Sequence, residues 1–242
     1  MADSLDPLSP DEVAARLAGS PAERAALIER GAEAGVAEAQ AVWAQMLLDR
    51  GDATAAFEWF TRAARQGHLM ALNMLGRCYD LGWGISIDKA RAAECFRVAA
   101  ERGLDWGMYN YATSLALGTG VPEDKAAALA WFERAAGLGN AKALNYVGSF
   151  HEDGWVVPRD RAQAARCYAQ AAAGGDFRGA FNHARMLAED GDDDAALEWL
   201  SRCAATATPA FLDKVRQWLA GCPFPRLRAE GPTSLEKGMT TC

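Results

Sequence analysis

The chain has 242 residues, half of them hydrophobic, and carries 25 basic against 32 acidic side chains for a net charge of −7. That balance excludes a general nucleic-acid or anionic-membrane binder, which needs clustered Lys and Arg. No run of 18 apolar residues occurs, and the opening Met-Ala-Asp-Ser-Leu-Asp-Pro lacks the basic and apolar regions of a secretion signal, so no membrane span and a cytoplasmic location are expected.

Residues 1–8 read as disordered. Ser9-Pro-Asp-Glu12 and Ser20-Pro-Ala-Glu23 each place a Ser at N-cap, Pro at the first helical position and Glu at N3, so two short helices are expected over 10–18 and 21–34. With the disordered start they make up residues 1–34, and the second helix caps a repeat array that begins at residue 35.

From residue 35 to 206 one unit of 36 residues returns. Leu81-Gly-Trp-Gly-Ile-Ser-Ile-Asp88 aligns with Leu117-Gly-Thr-Gly-Val-Pro-Glu-Asp124 and with Asp153-Gly-Trp-Val-Val-Pro-Arg-Asp160. Gly67, Gly103, Gly139 and Gly175 keep the period, and so do Trp59, Cys95, Trp131 and Cys167. Five units result, approximately 36–67, 68–103, 104–139, 140–175 and 176–206, and each reads as two helices. In the second unit Ala71, Leu72, Leu75, Gly76 and Tyr79 fall on one face of the first helix, and Ala90, Ala93, Cys95, Phe96, Ala99 and Ala100 mark the second.

The periodic glycines stop the second helices in the left-handed conformation, and Asp88, Asp124 and Asp160 are placed to N-cap them. Units one and five shorten the hairpin to Asp49-Arg-Gly-Asp52 and Asp190-Gly-Asp-Asp193, which cuts the repeat to 32 residues. Residues 207–221 read as a C-terminal capping helix, with Phe211, Leu212, Val215, Trp218 and Leu219 as its apolar stripe. Pro223, Pro225, Gly231 and Pro232 argue that residues 222–242 are a flexible tail.

Six cysteines occur without a CxxC or a pair recurring in each unit, so they read as small core residues and not as a disulfide framework. His68, His151 and His183 sit in no metal-ligand spacing; His151 and His183 fall at core positions and read as hydrogen-bonded, partly buried imidazoles. The acidic run 189–194 lacks the register of a calcium loop. Gly82-Trp-Gly84 and Gly118-Thr-Gly120 have no strand before them and no GK[ST] after. No catalytic residue, metal site or cofactor is expected.

The recurring Gly67, Ala71, Leu75-Gly76, Tyr79, Gly82, Gly84, Asp88-Lys89-Ala90, Cys95-Phe96 and Ala99-Ala100, with Gly118-Thr-Gly-Val121, Asp124-Lys125-Ala126 and Trp131-Phe132 in the next unit, resemble the Sel1-like repeat family, relatives of tetratricopeptide repeats. Leu115, His151 and Leu187 replace the Tyr, and Val156 replaces the second hairpin Gly. The resemblance implies an all-α fold, an α/α superhelix or solenoid of five Sel1-like helix-turn-helix repeats with N- and C-terminal capping helices. It implies a non-catalytic adaptor or scaffold that binds a protein partner in its concave groove. Two alternatives are a hydrolase related to the β-lactam-binding, cysteine-rich members, whose paired cysteines this chain lacks, and a self-assembling structural protein.

On this reading the groove is lined by Met70, Asn73, Arg77, Trp106, Tyr109, Lys142, Asn145, Arg178, Phe181 and Arg185. Lys142, Arg178 and Arg185 form a basic patch beside Trp106, Tyr109 and Phe181, which suits an acidic peptide segment bound to a monomer. Trp83 and Trp155 recur on the hairpin edge; they read as folding back over the glycine turn, and otherwise offer a second surface.

Overall fold

A computed structural model describes residues 18–240 of the chain. The expected disorder at residues 1–8 and the helix expected over 10–18 lie almost wholly outside the described residues. Among those residues there are thirteen helices and no strand. Helix α1 (Pro21–Glu33) is followed by α2 (Ala37–Asp49) and α3 (Ala53–Arg65), α4 (Leu69–Leu81) and α5 (Lys89–Glu101), α6 (Asp105–Leu117) and α7 (Lys125–Gly137), and α8 (Ala141–Asp153) and α9 (Arg161–Ala173). Then come α10 (Phe177–Glu189) and α11 (Asp193–Thr206), and finally α12 (Pro209–Gly221) and α13 (Pro225–Thr240). They divide into two compact units, one of residues up to Gly107 with Thr119–Val121, the other of Met108–Gly118 with Pro122 onward.

The capping logic holds residue by residue. Ser20 accepts from the Glu23 backbone while the Glu23 carboxylate accepts from Ser20, so α1 opens on a complete capping box. Asp88, Asp124 and Asp160 accept from the backbone N–H of Arg91, Ala127 and Gln163 at 2.8–2.9 Å. In the short hairpins Asp52 and Asp192 do the same at 3.1 Å. The long hairpins share a further backbone bond: the Asp88, Asp124 and Asp160 amides donate to the carbonyls of Tyr79, Leu115 and His151, each at 2.9 Å. Because this bond uses main chain only, the Tyr is replaceable without loss of the turn.

Packing uses one position per pair. Phe60, Phe96, Phe132, Tyr168 and Leu200, equivalent by period, are all buried. The Phe96 ring lies where a Cβ on Gly76 would stand, 2.6 Å from it, and Tyr168 does the same to Gly148 at 2.7 Å. The neighbouring Trp positions are only half-buried, and each carries an arginine one turn on: Arg62 lies over Trp59, Arg134 over Trp131 and Arg202 over Trp199, at 4.0–4.5 Å. The five described cysteines are free thiols, and burial pushes Cys78 and Cys95 up to about 11 and Cys203 up to about 12.

Two expectations change. On the first helix of the second pair the buried residues are Ala71, Asn73, Met74, Gly76 and Cys78, while Leu72, Leu75 and Tyr79 are half-buried. Burial runs wider than the expected stripe because a helix inside a stack meets neighbours on more than one side.

The supposed tail is also no tail: residues 225–240 form α13, packed on α11 and, more lightly, on α12. Pro225 occupies the first helical position, where a missing N–H costs nothing. Gly231 faces the Leu219 side chain, and a Cβ on Gly238 would stand 2.0 Å from the Ser201 carbonyl oxygen, so these glycines mark helix contacts. Leu227 and Leu235 are buried with Leu212, Val215 and Leu219 in one cluster. Burying a leucine contributes about 1.5–3 kcal/mol, more than the roughly 1 kcal/mol a helical glycine costs. Leu235→Ala should therefore lower unfolding stability by about 2–5 kcal/mol, measured by denaturant melts, whereas a flexible tail would leave it unchanged.

Candidate functional site

The first unit contains a groove of about 680 Å³ between α2 and α4, floored by Phe60 and Ala71. Its walls are Ala41, Val42, Met46, Leu69, Met70 and Met74, with Glu38, Gln45 and His68 completing the lining. Three of the seven methionines converge here, which gives the surface unbranched, polarizable side chains able to repack around different shapes. Met70 is 39% exposed and Val42 38%.

At the rim His68 Nδ1 accepts from the Ala71 backbone N–H at 3.0 Å and so N-caps α4. Its Nε2 therefore carries the proton and donates to Glu38 Oε2 at 2.8 Å. No Lys or Arg lines the groove.

Of the residues expected on this face, Met70 stands in the groove. Asn73 is buried and does not line the groove. Arg77 lies one turn further along, its guanidinium 4.7 Å over the Trp83 ring and Nη1 3.9 Å from Met74 Sδ. Trp83 thereby folds back into the core, as the glycine turn suggested. Trp106 is partly exposed at the start of α6 and does not line the groove.

In the second unit the expected basic patch is divided: Lys142 and Arg178 both act on the Asp176 carboxyl, and Arg178 acts on the Tyr109 hydroxyl beside it, whereas Arg185 is engaged elsewhere. Arg185 has a side chain only 18% exposed; it pairs with Glu152 at 2.6 Å and Glu189 at 3.0 Å. The Tyr168 hydroxyl donates to the same Glu152 oxygen at 2.7 Å. Burial pushes the Glu152 carboxyl up, but the hydrogen bonds from Arg185 and Tyr168 outweigh it and hold the group below the ordinary carboxylate range. Asn145 is buried and accepts from Asn182 at 2.9 Å.

Tyr109 packs against Phe132 and Tyr146, and burial pushes its hydroxyl pKa upward. Phe181 sits edge-on to Phe211 and Trp218 of α12, which makes it part of the C-terminal core. Lys142 is half-buried. Arg178 alone among the three bases is largely exposed, and it lies over Phe177 and Phe211.

Sequence reasoning missed Val42, Met46 and Met74 as groove residues. The available signal was the clustering of Met46, Met70 and Met74 on the first helices of successive pairs.

The histidines also differ from expectation. Nδ1 of His151 and of His183 is buried without a hydrogen-bond partner, and so is Oδ1 of Asp176. Burial pushes Asp176 above its ordinary value, while its other oxygen caps α10 through the Gly179 N–H at 2.8 Å. His183 lies edge-on to Trp199 at 5.2 Å. Among the described residues no group of three or more His, Cys, Asp or Glu could hold a metal ion, and no helix is long and apolar enough to cross a membrane.

The Sel1 repeat pattern matches residues 37–68, 69–104, 107–140 and 141–176, more than half of the chain. The chain belongs to the Sel1 repeat family. Sel1 repeats are generally protein–protein interaction modules. Among solved structures, a Sel1 repeat protein from Oxalobacter formigenes is 27% identical with a TM-score of 0.68, over 82% of this chain and 60% of that one.

The protein c5321, a protective antigen of uropathogenic Escherichia coli with an SLR fold, is 26% identical with a TM-score of 0.66, over 90% of this chain and 50% of that one. The chain thus spans between half and three-fifths of the length of these two relatives. The immunity protein Pa5087 from Pseudomonas aeruginosa shares the fold alone, at 16% identity and a TM-score of 0.55, over 99% of this chain and 82% of that one. No curated protein matches the chain.

Two outcomes test the second-unit assignments. Arg185→Ala should destabilise the Sel1 chain by about 2–3 kcal/mol in urea melts, because it strands the Glu152 charge, while Arg178→Ala should cost under about 0.5 kcal/mol. For His183, burial holds the folded-state imidazole below the ordinary 6.5. As pH falls past 6.5 the unfolded chain takes up the proton first, so stability present at neutral pH is lost on the acid side. His183→Leu should make the decline in thermal midpoint between about pH 7 and pH 5 shallower.

Proposed function

We propose that this Sel1 protein is a non-catalytic interaction module whose first unit holds an apolar segment of a protein partner in the groove between α2 and α4. The observation that carries this reading is the groove itself: an apolar trough of about 680 Å³ with exposed Met70 and Val42 and the His68–Glu38 hydrogen bond at its rim. Its volume is that of a ligand site, roughly 300–1,000 Å³. An apolar occupant gains burial there, whereas an acidic peptide would meet Glu38 and no lining base. Membership of a family of interaction modules supports the same reading. A cytoplasmic setting accords with five free, buried or half-buried thiols.

The test is a photo-crosslinking amino acid placed at position 70, with Leu138, exposed on another part of the surface, as control position. Crosslinks from 70 to a defined protein, lost by competition with unlabelled protein and absent from 138, are expected. Met70→Arg should weaken capture of that protein at least about tenfold without changing helix content by circular dichroism. Equal labelling from both positions, or capture indifferent to Met70→Arg, removes the groove as the binding surface.

A further inference from the structure

The first helices of the five pairs differ in the residue that stands just before them. Val36 and Leu104 bring no side-chain acceptor. His68, Asn140 and Asp176 each cap their helix, accepting from the backbone N–H three residues on at 3.0, 3.1 and 2.8 Å. Of these three caps only His68 lines the groove of the first unit. It is also the one whose acceptor a proton removes outright. An amide oxygen such as that of Asn140 takes no proton, and a protonated carboxyl keeps lone pairs to accept with, but an imidazole protonated on both nitrogens is a donor at each.

In the neutral ring Nδ1 accepts from Ala71 and Nε2 donates to Glu38 at 2.8 Å. A second proton goes to Nδ1, where N–H would then face N–H, so α4 loses its side-chain cap while the Glu38 contact becomes an ion pair. Protonation thus exchanges a cap for attraction to a carboxylate whose side chain is 77% exposed, and water screens such a pair. Arg65 lies in the last turn of α3, and the Arg102 guanidinium comes within 3.4 Å of where a Cβ on Gly67 would stand. Neither can take over the cap, because an arginine has no acceptor. The first turn so released carries Leu69, Met70 and Ala71, three residues of the groove lining.

We propose that His68 is a proton-sensitive latch on the groove: when its imidazole takes a second proton, the first turn of α4 loosens and the groove releases an apolar ligand. The latch rests on the reading that the groove takes an apolar protein segment, and it supplies the regulation of that same site.

Nile red, a neutral apolar dye, probes the groove without a charge change of its own, and amide exchange at Ala71 reports the cap on the same samples. Between about pH 7.5 and about pH 5.5 the chain should lose protection at Ala71 and bind the dye about fivefold more weakly, the effect of one lost N-cap. His68→Asn installs the cap that Asn140 makes, and should hold both readouts level across the range. His151 and His183 remain in that variant, so a response it abolishes belongs to His68. Glu38→Gln removes the ion pair but not the cap, and should keep the pH response at Ala71. Met70→Arg should weaken the dye at either pH.

Dye affinity and Ala71 protection that ignore pH, or that respond equally in His68→Asn, overturn the proposal. If Met70→Arg weakens the dye at every pH while binding to the unaltered chain ignores pH, the groove reading stands and the latch alone falls. If Ala71 loosens on acidification while Met70→Arg leaves dye binding untouched, the groove reading fails and takes the latch with it.

Discussion

A helix pair of some thirty residues cannot bury its own apolar surface, and the whole chain follows from how that deficit is met. One side chain on each second helix does most of it. Phe60 sits with Ala71, Met74 and Cys78 of the following first helix in one core cluster. Phe132 stacks on Tyr146 of the following first helix at 4.7 Å with the rings 3° from parallel. Each pair thus supplies a ring to its own small residue and to its successor, and stability within a unit is a sum of such neighbour terms. Alanine and glycine at the facing positions follow from the same demand, because a ring approaches only where the opposing helix has almost no side chain.

This arrangement explains what was legible from sequence and what was not. Period, helix boundaries and caps repeat, so several copies of each signal reinforce one another; the aspartate caps and the glycine stops stand where spacing put them. Burial of individual first-helix positions was less legible, because it depends on what a neighbouring pair brings opposite. Asn73 and Asn145 occupy a position that a lone helix would leave to solvent, yet both are buried, Asn145 with Asn182 as donor. Arg185 reads as a free base until Glu152 and Glu189 are seen to flank it. Helix α13 was illegible for a different reason. Gly231, Pro232 and Gly238 are poor helix formers by propensity, and the packing that overrides propensity involves residues thirty or more positions away for Gly238.

The two units resolve the same helical plan with different chemistry. In the first, the exposed side of the first helices is apolar and spare, with methionine at three places and one His68–Glu38 hydrogen bond at the rim. In the second, the corresponding positions are consumed internally by Arg185 with Glu152 and Tyr168, by Asn145 with Asn182, and by Phe181 with the C-terminal aromatic cluster. Among the described residues the second unit also holds the buried polar atoms without a hydrogen-bond partner, on His151, Asp176 and His183, and each costs about 1–3 kcal/mol of desolvation.

Departure from the repeat is therefore informative only when its direction is considered. Replacing Tyr79 by Leu115 or His151 at the same position leaves the hairpin intact, because the bond there runs between main-chain atoms. Replacing the hairpin glycine by Val156 has no such indifference: it adds torsional cost, prevents the close backbone seat, and turns two apolar side chains outward. Gly84 and Gly120 show that the tighter seat is available to the same fold, and the fourth hairpin instead holds Trp155 edge-on against Phe150 with the Lys125 ammonium over its ring.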